Sequence, residues 1–372
     1  MSCEIVTIVK NVYICGKICL NNKRVIKMRV QSLTLKYKPI MIYVLLSLVM
    51  VTLVCCRSNG KPVPEPMTHY LFAYFTSNET FGQQVYYAVS DNGLDFVPLN
   101  GGRPVIASDS ISQSGGVRDP HLLRAEDGSI LLSLTDMDWQ RGKWSCRGIV
   151  LMKSDDLILW EHSTVHFPER FAGEEFAMAD AVWAPQTIYD SSAGKYMVYF
   201  SLHSPKDGPF PQDAVYYAYA NDSFTDLEGS PKRLFYYDGP SIDTDIVRDG
   251  EGVYHIFFNT WGGELQGTGR RKFTATELTE AATWCLEEEL MKPVGVTMKS
   301  EGSSAYPLND GSAWVLAYDC YADGVFHFCT STDLVNFTLV RETKTAGNFT
   351  PRHGSILPIT TREYERLMNF YN

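Results

Sequence analysis

The sequence predicts an all-β protein folded as a five-bladed β-propeller. Three observations predict this fold: a two-strand unit recurs along the chain, a short Ser-Asp turn recurs between those units, and the first and last repeats are incomplete in complementary ways. Regular recurrence of short strands without helical repeats between them is typical of a propeller, in which each repeat builds one blade.

The two-strand unit begins four times with a short motif, here called the heading, in front of an apolar strand. The headings lie at Asp119, Ala184, Asp243 and Glu301, at intervals of 65, 59 and 58 residues. Each heading strand leads through a turn rich in Gly and Asp into a second apolar strand. We therefore expect the four headings to occupy the same structural position in four different blades.

The Ser-Asp turn places an aromatic residue six positions after a serine. It occurs at residues 90–96, 154–160 and 331–337, with a weaker copy at 221–227 that has leucine in place of the aromatic residue. The turn follows a third strand and precedes a fourth. Each repeat therefore predicts a four-stranded blade with the heading on its inner strand.

The ends of the repeat region complete each other. The first repeat, from the strand at 70–75, lacks a heading and an inner strand, whereas residues 351–359 form a heading and an inner strand with no blade behind them. Pairing the two would give a fifth blade and leave no open sheet edge between the termini. Residues 362–372 predict a short terminal helix.

Composition and charge limit the class of ligand. The chain has 372 residues, 45% of them hydrophobic and 13% aromatic, enough to bury the core of one large all-β domain. Residues 1–67 carry 10 Lys and Arg against 2 Asp and Glu, whereas residues 68–372 carry 23 against 41. So acidic a body argues against nucleic acid as a partner and is compatible with neutral carbohydrate.

The start of the chain has the features of an export signal. An apolar run at residues 40–54 follows several basic residues and ends in Cys55-Cys56, and a proline-rich tether follows at 61–66. This pattern resembles a bacterial lipoprotein signal with Cys56 as the lipidated residue; an uncleaved anchor helix is the alternative. We thus expect residues 1–56 to be an extension and signal, 57–67 a tether and 68–372 the propeller, anchored by lipid to the bacterial cell envelope, in the periplasm or on the outer surface.

Cysteine usage leaves one question open. Five of the nine cysteines precede Arg57, and the others are Cys146, Cys285, Cys320 and Cys329. Cys320 and Cys329 are placed to face each other on a hairpin. Export permits a disulfide there, and two buried thiols are the alternative.

The headings also predict the functional site. The inner strands of a propeller line its channel, so their first residues gather at one mouth. A single acidic residue at a strand start is most often solvated surface, but Asp119, Asp243 and Glu301 come from three blades, with Trp183 and His353 from the other two. Clustered carboxylates repel each other, which raises at least one pKa and separates an acid from a base, as glycosidic bond hydrolysis requires.

In this order and spacing the headings resemble those of glycoside hydrolase family 43. The match covers residues 70–360, and the motifs that carry it are Arg118-Asp119-Pro120, Trp183-Ala184-Pro185, Ile242-Asp243, Glu301-Gly302 and His353-Gly354. The resemblance implies a five-bladed propeller that hydrolyses α-L-arabinofuranosidic, β-xylosidic or galactosidic bonds with inversion. Two strands precede the base motif, so the ring is permuted relative to members whose base lies near the N-terminus.

The resemblance also implies roles for individual residues. Asp119 would be the general base and Glu301 the general acid, while Asp243 would orient the acid and tune its pKa, with Asp245 as a rival for that role. His353 matches a histidine near the channel axis that in some members holds a calcium ion, often through water. No cofactor is otherwise required.

Residues next to the headings are candidates for binding the substrate. We expect Trp183 to stack on a sugar ring, with core or loop packing as the alternative. We expect Arg118 and Arg352 to bind hydroxyl groups or to hold the carboxylates in place. The expected partner is an oligosaccharide or polysaccharide. We expect a monomer that meets the membrane only through its lipid anchor.

Two other functions compete with this hypothesis. A non-catalytic carbohydrate-binding propeller on the cell surface would share the fold, but it has no need for three carboxylates. A sialidase-like propeller is suggested by the Ser90-Asp91-Asn92-Gly93 turn, but a sialidase also needs an arginine cluster and a tyrosine nucleophile, and no matching set is evident in the sequence.

Overall fold

The protein is described from a computed structural model. It describes residues 19–20, 24–25, 65–262, 265–280, 283–286 and 299–372. Two compact units are distinguished, Met1–Pro64 and Glu65–Asn372. In the first, β1 (Cys19–Leu20) pairs antiparallel with β2 (Arg24–Val25); the expected export signal and Cys56 lie outside the described residues.

The second unit contains five four-stranded antiparallel sheets, which are the blades of a propeller. Blade 1 consists of β22 (Gly354–Thr360), β3 (Met67–Tyr74), β4 (Tyr86–Ser90) and β5 (Val97–Pro98). Blade 2 consists of β6 (Val117–Arg124), β7 (Ile130–Asp136), β8 (Gly148–Ser154) and β9 (Glu161–His166). Blade 3 consists of β10 (Ala181–Asp190), β11 (Lys195–His203), β12 (Ala214–Ala220) and β13 (Leu227–Arg233).

The remaining two blades follow the same order. Blade 4 consists of β14 (Ile242–Arg248), β15 (Tyr254–Gly262), β16 (Leu265–Ala275) and β17 (Cys285–Leu286). Blade 5 consists of β18 (Glu301–Pro307), β19 (Trp314–Cys320), β20 (Val325–Ser331) and β21 (Thr338–Lys344). The described helices are α1 (Phe167–Arg170) and α2 (Thr361–Tyr371), and none of them is long and apolar enough to cross a membrane.

The termini of the repeat region close the ring. The last strand, β22, pairs antiparallel with the first propeller strand, β3, and Ile356 lies opposite Phe72. Blade 1 is therefore built from both ends of the chain, as predicted, and the five-bladed fold class is confirmed. Helix α2 follows at once, with a capping box in which Thr360 and Glu363 bond each other's backbone amides.

The core is divided among the junctions between blades. Five hydrophobic clusters each combine side chains of two neighbouring blades, because every sheet buries both faces against its neighbours. Leu132 of blade 2, for example, belongs to the same cluster as Leu71 of blade 1. Burying a side chain of this size stabilises the fold by roughly 1.5–3 kcal/mol, so the junctions hold the ring together.

Hydrogen bonds also cross every junction next to the channel. A side chain from each blade accepts a backbone N–H from the inner strand of the next blade, which gives that strand's unpaired edge a partner. The five bonds run from Leu122 to Ser355 (2.7 Å), from Thr187 to His121 (3.2 Å), from Ile246 to Tyr199 (3.2 Å), from Ala305 to Asp245 (2.6 Å) and from Ile356 to Ser304 (2.9 Å).

Of the two alternatives that the sequence left open for Cys320 and Cys329, the structure has the buried thiols. Register places Cys320 opposite Val325 and Cys329 opposite Leu316, so the two sulfur atoms do not face each other. Each is a buried thiol with a polar neighbour of its own in blade 5, and neither is half of a disulfide.

Candidate active site

Four of the five inner strands carry a β-bulge at the channel mouth. The register with the second strand shifts between Arg118 and His121 in β6 and at the corresponding places in β10, β14 and β18. The first bulged residue has a positive φ in each case, and these residues are Asp119 (52°), Ala184 (41°), Asp243 (49°) and Gly302 (62°). A bulge re-aims the side chain, and the strain at the three non-glycine residues is typical of functional sites.

The bulges correct one expectation from the sequence. Asp119 and Asp243 occupy equivalent positions, but Glu301 does not share them: its equivalents are Arg118 and Trp183, and the bulged residue of β18 is Gly302. The side chain of Glu301 is 34% exposed, compared with 11% and 10% for the two aspartates. Two buried carboxylates therefore lie beside one that reaches the solvent at the mouth.

His353 lies between the two buried aspartates. Its Nδ1 atom is 3.3 Å from Oδ1 of Asp119 and 3.8 Å from Oδ1 of Asp243. Burial opposes the charged form of the imidazole, but the charges of Asp243 and Asp119 and the bond to Asp119 outweigh it and raise the pKa of His353 to about 9. The ring packs so closely on Gly302 that a Cβ there would lie 2.6 Å from Cδ2 of His353.

Asp119 is held in its ionised form. Thr135 donates a hydrogen bond of 2.7 Å to its Oδ2 atom. Burial opposes ionisation, but the bond and charge of His353, the charge of Arg118 and the bond from Thr135 together lower the pKa of Asp119 below its usual value. Asp119 is therefore a carboxylate at neutral pH.

Asp243 is tied to the backbone beside Glu301. Its Oδ2 atom accepts a bond of 3.0 Å from Asn259 and one of 2.9 Å from the amide of Gly302. Asp245 bonds further along β18, where its Oδ2 atom accepts from the amide of Ala305 across the blade junction. Of the two rivals, Asp243 is the one whose bonds reach the residue next to Glu301.

Glu301 lies in a more negative environment than Asp119 does. Burial and the charge of Asp243 raise the pKa of its carboxyl group to about 7, and Asp319 adds to the effect, while Arg352 and His353 oppose it. Arg352 is close but not tightly paired, with its Nη2 atom 3.9 Å from Oε2 of Glu301.

The balance of charges at the site explains why the pKa of one carboxyl group is raised. Four carboxyl groups face three cations, so the cluster is neutral when one carboxyl group keeps its proton. The carboxyl groups are Asp119, Asp243, Glu301 and Asp319, and the cations are Arg118, Arg352 and His353. The pKa of Glu301 is raised to about 7 and that of Asp319 to about 6, so Glu301 is the carboxyl group of this cluster that titrates closest to neutral pH.

Sequence reasoning missed Asp319. This residue is the partner of Glu301 in the register of β18 and β19, its side chain is only 1% exposed, and it accepts a hydrogen bond from Nε of Arg352. Burial raises the pKa of Asp319 to about 6. The signal was an acidic residue inside an apolar strand, at the position that Thr135 and Asn259 occupy in blades 2 and 4.

Arg118 and Arg352 are brought together by one aromatic ring. The guanidinium carbons lie 4.3 Å and 5.7 Å from the centre of the Phe75 ring. The stack continues outward to Trp139 beyond Arg118, at 5.8 Å, and to Tyr321 beyond Arg352, at 5.2 Å. These cation–π contacts fix both arginines beside the carboxylates and leave the two outer rings partly exposed at the mouth.

Trp183 borders the site from blade 3. Its ring lies 6.2 Å from that of Trp144, in an edge-to-face arrangement, and it remains partly exposed. It also donates a hydrogen bond to Asp213, where burial raises the pKa of the carboxyl group to about 6 against this bond and the charges of His203 and Lys143. Like Trp183, the other residues expected at the mouth lie on inner strands or in the segments that precede them.

The described residues do not fit a calcium ion bound by His353. Nδ1 of this residue faces the carboxylates of Asp119 and Asp243, and an N–H that donates to them leaves this atom no lone pair to offer a metal. The hydroxyl groups of Thr187, Thr244 and Ser303, on three inner strands, are buried without a hydrogen-bond partner, but they are neutral, whereas calcium prefers six to eight oxygen ligands that include carboxylates. No metal-binding group of three His, Cys, Asp or Glu residues occurs in the part of the chain that is described.

The mouth of this five-bladed propeller gathers several carboxyl groups, and a glycosidase needs a pair of them. The chain belongs to the family-43-related glycosyl hydrolases, because the family profile described as "Probable glycosyl hydrolase domain" matches residues 65–365. The resemblance noted in the sequence is confirmed at this level.

Individual relatives are distant. An α-L-arabinofuranosidase of Bifidobacterium longum subsp. longum is 23% identical over 311 residues, which are 70% of this chain but only 28% of the relative's length. An endo-1,4-β-xylanase from Bacteroides thetaiotaomicron has a TM-score of 0.52 at 12% identity, with 78% of this chain and 97% of that chain covered. An α-L-arabinofuranosidase from Lactobacillus brevis has a TM-score of 0.49 at 14% identity, with 78% and 91% covered. The solved xylanase supports the fold alone.

Proposed function

We propose that the protein is an inverting glycoside hydrolase that acts on α-L-arabinofuranosides, β-xylosides or galactosides. The observation that carries the proposal is the pair of unlike carboxyl groups at the mouth: the bonds of Thr135 and His353 hold the pKa of Asp119 below its usual value, whereas burial and the charge of Asp243 raise the pKa of Glu301 to about 7. Inverting hydrolysis needs one group of each kind, one on each side of the scissile bond. Family membership supports the same reaction class.

Each group then has one task. Asp119 accepts a proton from a water molecule as that water attacks the anomeric carbon, and Glu301 gives its proton to the departing glycosidic oxygen. Asp243 orients Glu301 through its bond to the amide of Gly302. His353 lies between Asp119 and Asp243 and compensates their negative charges. Arg352 stabilises the negative charge that Glu301 gains when it loses its proton. The proposed reaction needs no cofactor.

A neutral sugar fits the mouth best. With Glu301 protonated the charges of the cluster cancel, so neither a cationic nor an anionic substrate has a charge to complement. Trp183 supplies an apolar face beside the carboxyl groups, and Arg118 supplies hydrogen-bond donors. Arabinosyl, xylosyl and galactosyl groups are all neutral, and the name of the Bifidobacterium relative favours the first.

The proposal extends to where the enzyme works. The basic, apolar start of the chain ending at Cys56 supports export and a lipid anchor on the bacterial cell envelope, with the propeller acting as a monomer on oligosaccharides or polysaccharides. In a bacterial host, a radioactive fatty acid should label the full chain and fail to label Cys56→Ala. Labelling that persists in the variant would reject Cys56 as the anchor.

The activity itself is tested with the purified full chain. Aryl glycosides of the three sugars, together with arabinan, arabinoxylan and galactan, are incubated with the wild type and with a Asp119→Asn/Glu301→Gln double variant. We expect the wild type alone to release sugar from at least one substrate, and proton NMR of the first product to show the anomer opposite to that of the substrate. Binding without release would favour the non-catalytic propeller, and a product of retained configuration would reject inversion.

A further inference from the structure

The carboxyl group of Asp319 is the most buried charge at the site, and the proposed reaction gives it no task. Its side chain is 1% exposed, compared with 23% for Arg352 and 34% for Glu301. Its Oδ2 atom accepts from Nε of Arg352, and its Oδ1 atom is buried with no partner among the described residues. Burial of an aspartate in this way is costly unless a cation compensates it, and here the cation is Arg352.

Arg352 is shared unequally between two carboxyl groups. Nε bonds Asp319 directly, whereas Nη2 stays 3.9 Å from Glu301, beyond hydrogen-bond distance. The backbone and ring contacts of Arg352 keep its guanidinium near both carboxyl groups: its amide donates to the carbonyl of Phe75, and the guanidinium carbon lies 5.7 Å from the centre of the Phe75 ring and 5.2 Å from that of Tyr321. The partner that draws the guanidinium away from Glu301 is Asp319.

We infer that Asp319 is a positioning residue for Glu301: by holding the Arg352 guanidinium on its own carboxylate, it prevents a close ion pair with Glu301 and lets Glu301 keep its proton. The inference rests on the proposed function, in which that proton is the one delivered to the leaving group. It adds a residue that acts through Arg352 and does not touch the substrate.

The other charged groups around Glu301 do not explain this effect. Asp243 raises the pKa of Glu301 from the neighbouring blade, and His353 lowers it. Tyr321, in the turn after β19, contacts Arg352 through its ring. None of them bonds Arg352. If Asp319 loses its charge, the guanidinium of Arg352 is free to approach Glu301, and a closer cation favours the ionised form of Glu301.

Asp319→Asn tests the inference, because asparagine keeps the size of the side chain and removes its charge. The titration midpoint of Glu301 is followed by ¹³C NMR of labelled glutamate carboxyl groups, with the signal assigned by its loss in Glu301→Gln. We expect the titration midpoint of Glu301 to fall by about one pH unit. The alkaline limb of the pH profile of kcat/KM should shift to lower pH by the same amount. Asp136→Asn is the matched control, because Asp136 is similarly buried but bonds backbone amides of another blade; it should leave the midpoint unchanged.

An unchanged or higher midpoint in Asp319→Asn would overturn the inference. The NMR measurement does not depend on turnover. A lower midpoint in a protein without glycosidase activity would therefore support the positioning role and reject the proposed function, and an active enzyme with an unmoved midpoint would do the reverse.

A second comparison separates positioning from a direct charge effect and also serves if Asp319→Asn does not fold. Arg352→Gln is compared with Arg352→Gln/Asp319→Asn, a pair without the cation. If Asp319 acts through Arg352, the two midpoints should agree within about half a unit, because without the guanidinium there is no ion pair with Glu301 for Asp319 to prevent. A difference of about one unit or more would show that Asp319 acts on Glu301 directly and would overturn the positioning role.

Discussion

The Nδ1 atom of His353 lies 3.3 Å from Oδ1 of Asp119, and the same atom faces Asp243 at 3.8 Å. One buried imidazolium thus compensates two buried carboxylates from different blades. The inner strands of blades 1, 2 and 4 meet through this contact, so the electrostatics of the site and the closure of the ring depend on the same side chain.

Replacing this histidine should destabilise the fold. His353→Gln leaves Asp119 and Asp243 without their cation, and loss of one partner of a buried ion pair costs about 3–5 kcal/mol. The free energy of unfolding, measured in denaturant at pH 6, reports this loss. His255→Gln is the control, because His255 is also buried and paired, with Asp249, but lies away from the mouth. Equal losses in the two variants would contradict the special role of His353.

The same contact makes stability depend on alkaline pH. The pKa of His353 is raised from 6.5 to about 9 in the folded protein. Its contribution to stability is therefore fully present below pH 6.5 and is lost as the pH rises through 9. We expect the free energy of unfolding to fall between pH 7 and pH 9.5, more in the wild type than in His353→Gln. An identical decline in both proteins would show that other groups cause it.

Replacing Asp243 and replacing Asp245, the two candidates for tuning the pKa of Glu301, should have different effects. Asp243 raises the pKa of Glu301, so Asp243→Asn should shift the alkaline limb of the pH profile of kcat/KM to lower pH by about one unit. Asp245 accepts the Ala305 amide across a blade junction, so Asp245→Ala should reduce stability by about 1–3 kcal/mol and leave the limb in place. A pH–rate profile and a denaturant titration of each variant decide the matter. A shifted limb in Asp245→Ala alone would exchange the two assignments.

The sequence predicted the parts of this structure that repeat. Recurrent headings placed Asp119 and Asp243 at one mouth, and the unmatched strand at 351–359 predicted closure of blade 1. The one-residue offset of Glu301 was not predictable, because Gly302 adopts the bulge conformation that aspartate occupies in blades 2 and 4. A spacing counted along the chain does not reveal where a bulge begins.

Contacts that depend on the register between strands were also beyond the sequence. Asp319 faces Glu301 only because β18 and β19 pair with that register, and no motif marks the position. The same register separates Cys320 from Cys329, which the hairpin pattern alone could not exclude. Which charged side chains of different strands come together therefore has to be read from the structure, because the sequence does not give the register between strands.

The assignment of acid and base is tested most directly by comparing two variants on two substrates. The wild type, Asp119→Asn and Glu301→Gln are assayed on a natural oligosaccharide and on an aryl glycoside of the same sugar, whose leaving group needs no proton. Glu301→Gln should lose about 10²–10⁴-fold in kcat on the oligosaccharide but about tenfold or less on the aryl glycoside. Asp119→Asn should lose about 10²–10⁴-fold or more on both, because no other group deprotonates the water. Near-normal turnover of the oligosaccharide by Asp119→Asn would contradict the account.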